Sequence, residues 1–217
     1  MSRPPAQPKR DQVPDDERAA YDAVIARMRK MAGLPEAPPE EHMPVGTYFG
    51  ALLNSPAMCQ IVAQMGTFVR TAGNREGTYS HADREFVDQV LSADWKTNVV
   101  QGVHIADAIG VGVRLEAIEA LRYHHEEDLN DDEQLLAKYI RQVVSGQVDD
   151  ETHDAMERRL GTRGLVEYTG FILWLQWTMR MMQALGTEDP SDEEIDKVLD
   201  ELRAGTDRGQ DFATRLA

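Results

Sequence analysis

From Asp16 to Leu202, apolar residues recur at helical spacing in one segment after another, and nowhere do they alternate over a strand length between turns. A chain whose hydrophobic period is 3.6 rather than two can bury its apolar surface only by packing helix on helix. The expectation is an all-α protein of about nine or ten helices, placed by their local start and stop signals.

The first helix is predicted over Asp16–Met31 and ends at Gly33 and Pro35; a proline-rich connector follows, and then a short apolar segment, Thr47–Leu53. Pro56 opens a helix carrying Met58, Ile61, Val62, Met65, Phe68 and Val69 on one face. Ser80 with Asp83 forms a capping box before Phe86, Val87, Val90 and Leu91, and a second helix runs over Thr97–Ile109 to the glycines at 110 and 112. Further helices are expected at Leu115–Tyr123, Asp131–Ser145, Asp149–Leu160 and Leu165–Leu185. Ser191 with Glu194 caps an amphipathic last helix that needs a surface to pack on. Residues 1–15 read as a disordered lead-in, 16–186 as a single helical domain, and 187–217 as an acidic helix and tail.

Charge narrows the partners. With 38 acidic against 23 basic residues, the chain carries a formal charge of −15 and repels phosphate backbones and anionic lipid, so neither nucleic acid nor a membrane surface is an expected partner. Tyr168–Leu185 is apolar enough to suggest a membrane span, but Gln176, Arg180 and Gln183 interrupt it, which points to a buried helix. The N-terminus lacks the charged-then-apolar pattern of a secretory leader, and a cytoplasmic location is expected. The one cysteine, Cys59, rules out an intramolecular disulfide, a CxxC redox pair and a cysteine-rich zinc site within one chain. His124-His125 beside Glu126 and Glu127 reads as a solvated loop rather than a metal site, and no cofactor is implied.

Chemistry concentrates between Asp83 and Val111. Glu85 and His104 fall on two successive helices, and if those pair antiparallel both side chains reach one pocket. A carboxylate bonded to an imidazole orients the ring and raises its basicity, the arrangement of a general base. From residue spacing alone, a packed histidine satisfied by a backbone carbonyl or by Asp107 is the more usual reading. Trp95, at the helix junction, is a candidate wall of such a pocket.

The arrangement Arg84-Glu85, Thr97, Val100, His104, Ala106 and the Gly110–Gly112 turn resembles the core signature of the carboxymuconolactone decarboxylase and alkyl hydroperoxidase D family. The LLNSP stretch at Leu52–Pro56 and the helices that follow stand in the order of that family's longer members. The resemblance implies an all-helical fold with an antiparallel helical hairpin, a homo-oligomer (trimer or hexamer), and Glu85 and His104 as the catalytic positions. Thr97 and Val100 stand where the peroxidase branch carries its two cysteines, which removes thiol peroxidase chemistry by that route. Thr97, Val100 and Gln101 become candidate substrate contacts, with His81, one turn before Glu85, as another. The expected function is non-redox acid–base chemistry (decarboxylation, isomerisation or lactone-type) on a small organic acid or ring compound. The alternative is a catalytically inactive oligomeric member that binds a small ligand.

Overall fold

The computed structural model describes residues 4–38 and 42–205. Among these residues there are helices and turns and no strand, so the protein is all-α as its periodicity requires. The helices are α1 (Arg18–Met31), α2 (Thr47–Leu52), α3 (Pro56–Arg70), α4 (His81–Trp95), α5 (Asn98–Gly110), α6 (Leu115–Tyr123), α7 (Asp131–Ser145), α8 (Asp150–Leu185) and α9 (Asp192–Arg203). The ends of the expected lead-in and acidic tail, residues 1–3 and 206–217, lie outside the described residues. No helix among the described residues is long and apolar enough to cross a membrane.

The chain divides into two compact units. In the first, described over 4–38, 42–69 and 180–188, the segment expected to be a disordered lead-in is tied down by hydrogen bonds and an ion pair. The Gln7 amide donates to the carbonyl of Met43 and accepts from the amide of Val45, and the Tyr21 hydroxyl donates to the carbonyl of Pro8. Arg10 pairs with Asp22, and Val13 is buried. Here backbone groups are satisfied by side chains in place of a regular element, which periodicity does not register.

The second unit, 70–179 and 189–205 as described, is built around α4. Ser80 Oγ accepts the Asp83 amide at 3.0 Å and Asp83 Oδ2 accepts the Ser80 amide at 2.8 Å, the reciprocal box expected at its start. From Asp83 to Ser92 every residue of α4 is buried, which takes packing on all sides; α5, α6 and α7 all lie against it. Lys96 in the left-handed conformation ends α4, and the chain turns directly into α5. Glu85 then faces His104, and one turn nearer the connection Gln89 faces Gln101.

Two helices expected over 149–160 and 165–185 run on as α8, interrupted at Gly161, whose φ of 70° is a conformation that glycine adopts without strain. Tyr168, Phe171, Ile172, Leu175 and Met179 of this helix are buried, while Val166, Leu173 and Trp177 are exposed. The acidic α9 finds its surface on α5: Ile195 and Leu199 are buried, and the Ile195 side chain lies over Gly102. Arg122 of α6 ties this contact down, donating to Asp196, Asn98 and Gln101.

Candidate functional site

Glu85 and His104 meet. The ring nitrogen Nδ1 lies 2.9 Å from Glu85 Oε2, and both residues are buried within the second unit. A carboxylate only accepts, so Nδ1 carries the proton and donates it to Glu85. At the other ring nitrogen, Arg70 Nη2 stands 3.0 Å from Nε2. A guanidinium only donates, so Nε2 is the acceptor, and the ring is the neutral Nδ1–H tautomer held between an anion and a cation.

Around this dyad the same two helices gather further charge. Arg84 forms an ion pair with Glu85, and Asp88, one turn along α4, places Oδ1 3.8 Å from His104 Nε2. Asp107 is buried on α5 a turn beyond His104. Burial opposes the charge on Glu85, but the hydrogen bond from His104 and the nearby Arg84 and Arg70 outweigh it and hold the carboxyl well below the usual range. Asp88 has the opposite fate. Burial pushes its carboxyl up, the Glu85 charge adds to the rise, and the neighbouring Arg84 and Arg70 offset it only in part. Asp107 is raised to about 6, by burial first and then by Glu85. Two carboxylates one turn apart are thus driven in opposite directions, one toward a permanent anion and one toward a proton carrier.

Buried polar atoms remain without a hydrogen-bond partner here: Arg70 Nη1, Asp88 Oδ2 and both carboxyl oxygens of Asp107. Each such group costs about 1–3 kcal/mol when left unmet, so this is the most expensive polar region of α4 and α5, as sites of function often are. Glu85, Asp88 and His104 also bring one ligand atom each within 4.8 Å of one another, a cation-site spacing. The Arg70 guanidinium already occupies the lone-pair side of Nε2 and Arg84 pairs with Glu85, so the cluster's demand for positive charge is met by fixed cations.

The other predicted positions are distributed along the two helices. Val100 is buried one turn before His104. Gln101 is buried but engaged, receiving Arg122 at 2.8 Å and donating to Gln89 at 3.4 Å. Trp95 and Thr97 sit at the connecting end, ten and twelve residues beyond Glu85, and Trp95 is therefore about 15 Å from it along the axis of α4. The structure places neither at the dyad. The His81 ring lies against Gly73 and pairs with Asn74 at 3.1 Å. His124 and His125 lie exposed in the loop after α6.

Sequence reasoning missed Arg70 and Asp88. Asp88 had a signal: with Arg84, Glu85 and Ser92 it completes a polar stripe at i, i+3/i+4 and i+7 on a helix that is otherwise core. Arg70, at the end of α3, had none. Cys59 is fully buried, and burial pushes its thiol up to about 12 against the lowering effect of Arg27. No family model matches the chain, and no curated protein and no solved structure matches it either.

Proposed function

We propose that the protein is a non-redox acid–base enzyme in which His104, oriented by Glu85, moves a proton on a small organic acid or ring compound. The single observation that carries this reading is the 2.9 Å contact between Glu85 Oε2 and His104 Nδ1. It fixes the tautomer that leaves Nε2 as the basic nitrogen, as a base of this type requires. In a decarboxylation the proton returns to the enolate left by departing carbon dioxide; in an isomerisation it moves between two substrate carbons. Asp88, beside Nε2 and biased toward its protonated form, is placed to share that proton.

The resemblance to the carboxymuconolactone decarboxylase and alkyl hydroperoxidase D family is part of the proposal. The direct α4–α5 turn, with Glu85 facing His104 and Gln89 facing Gln101, supports the antiparallel hairpin of that family. The exposed Val166, Leu173 and Trp177 on α8 support a homo-oligomer. Thr97 and Val100 at the two cysteine positions support a thiol-independent branch.

One observation favours the second reading, an inactive member whose pair only packs: Arg70 caps the nitrogen that a base must offer. Turnover of a panel of small lactones and β-keto acids separates the two. Catalysis by wild type that falls at least about 100-fold in His104→Ala supports the base. Equal rates in both proteins would sink it.

A further inference from the structure

We infer that Arg70 is the anchor for a substrate carboxylate, and that taking up this carboxylate draws the guanidinium off His104 Nε2 and exposes the base. The inference rests on the acid–base reading of His104 and adds to it a substrate class and a reason for the capped nitrogen.

Arg70 is the last residue of α3, and although the residue as a whole is only partly buried, its guanidinium is enclosed in the cluster. Nη2 is spent on a neutral imidazole, and Nη1 is buried without a hydrogen-bond partner. A neutral ring nitrogen is a weak partner for a group whose planar fork suits two carboxylate oxygens at once. Arg84, a second cation in the same cluster, adds repulsion to the cost of burying Arg70. An incoming carboxylate offers Arg70 a bidentate bond and relieves that repulsion. As Nη2 turns to the ligand, Nε2 loses its donor while Nδ1 keeps its bond to Glu85, so the ring stays in place with its lone pair free.

The same surroundings select the ligand's charge. Glu85, Asp88 and Asp107 lie close enough to act on Arg70 electrostatically, and they repel a dianion more strongly than a monoanion. A monocarboxylate fits this site better than a phosphate dianion. Capping Nε2 until an acid arrives also keeps the base from acting on substrates that lack the recognised group.

The test uses propionate, its neutral counterpart propionamide, and inorganic phosphate on the full chain, with His104 followed by imidazole nitrogen resonances. Propionate should bind wild type and shift Nε2 with little change at Nδ1, while propionamide and phosphate produce no saturable shift of Nε2. In Arg70→Gln, propionate affinity should fall about ten-fold or more, as expected for loss of a charge-assisted pair. Arg70→Lys, which keeps the charge and loses the fork, should fall between the two. No propionate binding to wild type, equal response to propionate and propionamide, tighter phosphate binding, or unchanged affinity in Arg70→Gln would each overturn the anchor. If Arg70→Gln fails to fold, the wild-type ligand series and Arg70→Lys still decide. Binding needs no turnover: an anchor that binds in a protein without His104-dependent catalysis removes only the base, and catalysis with unchanged Arg70→Gln binding removes only the anchor.

Discussion

The side chain of Ile195 on α9 stands 2.8 Å from the point where a β-carbon on residue 102 of α5 would lie, so Gly102 sets how closely the C-terminal helix docks. The site helix and the acidic helix are therefore in direct register, and a side chain at 102 must displace α9 or its isoleucine. Gly102→Val is expected to destabilise the protein by about 1–3 kcal/mol through overpacking. In an Ile195→Ala background the same change should cost less than about 1 kcal/mol, because the clashing atom is gone. Urea unfolding of the four proteins measures the coupling, and additive effects would refute the contact.

Glu85 serves two ends that substitution can separate. Glu85→Ala leaves Arg84 and His104 buried without their shared anion, and breaking a buried pair in this way costs about 3–5 kcal/mol. Glu85→Gln keeps an acceptor for Nδ1–H and should cost about 1–2 kcal/mol. Its loss of charge removes the anion that stabilises the ring once it has taken a proton, so His104-dependent turnover should fall about 100-fold while the fold survives. Denaturation midpoints and kcat on the same preparations check both parts.

What was legible in the sequence was local. The boxes at Ser80–Asp83 and Ser191–Glu194 are written within four residues, and both form as expected. The stop at Gly161 is likewise a property of one residue. The start of α5 is different. Thr97 makes no side-chain capping bond there, and the Val99 amide is instead accepted at 2.6 Å by Asp189, ninety residues away. The same distinction runs through the site. The contact of Glu85 with His104 needs only two helices and the turn between them, while Arg70 arrives from α3 along a path that no periodicity encodes. Asp88 lay in plain view on the face of Glu85, but a charge on an acidic chain reads as a solvated surface until its helix is known to be surrounded.

Cys59 has the environment of an inert thiol. It is fully buried on α3, with its acidity suppressed to about 12, so the thiolate that reacts with alkylating agents is scarce at pH 8. Native protein should resist iodoacetamide at that pH for hours and be labelled at one site within minutes once unfolded in urea. Rapid labelling of the native protein, followed by mass spectrometry, would show that the thiol opens to solvent.

Asp107 gives the site a pH signature of definite sign. Its carboxyl is raised to about 6 in the folded protein from an ordinary value of 3.8, so between those two values the folded state holds more proton than the unfolded chain. Stability from this residue is therefore greatest below about pH 4 and is lost as pH rises through 6, a penalty of about 3 kcal/mol once ionisation is complete. Glu85, held below its usual range, works in the opposite direction and loses its contribution only as pH falls below the ordinary carboxylate value. The two effects occupy separate windows, so of Glu85 and Asp107 it is Asp107 on which the interval from pH 5 to pH 7.5 reports. Asp107→Asn removes the titrating group at nearly constant shape. Its unfolding free energy should vary less than that of wild type across this interval, with the two proteins differing most at pH 7.5 and the asparagine variant the more stable. An equal slope in both proteins would place the proton elsewhere, with Asp88 the next residue to substitute.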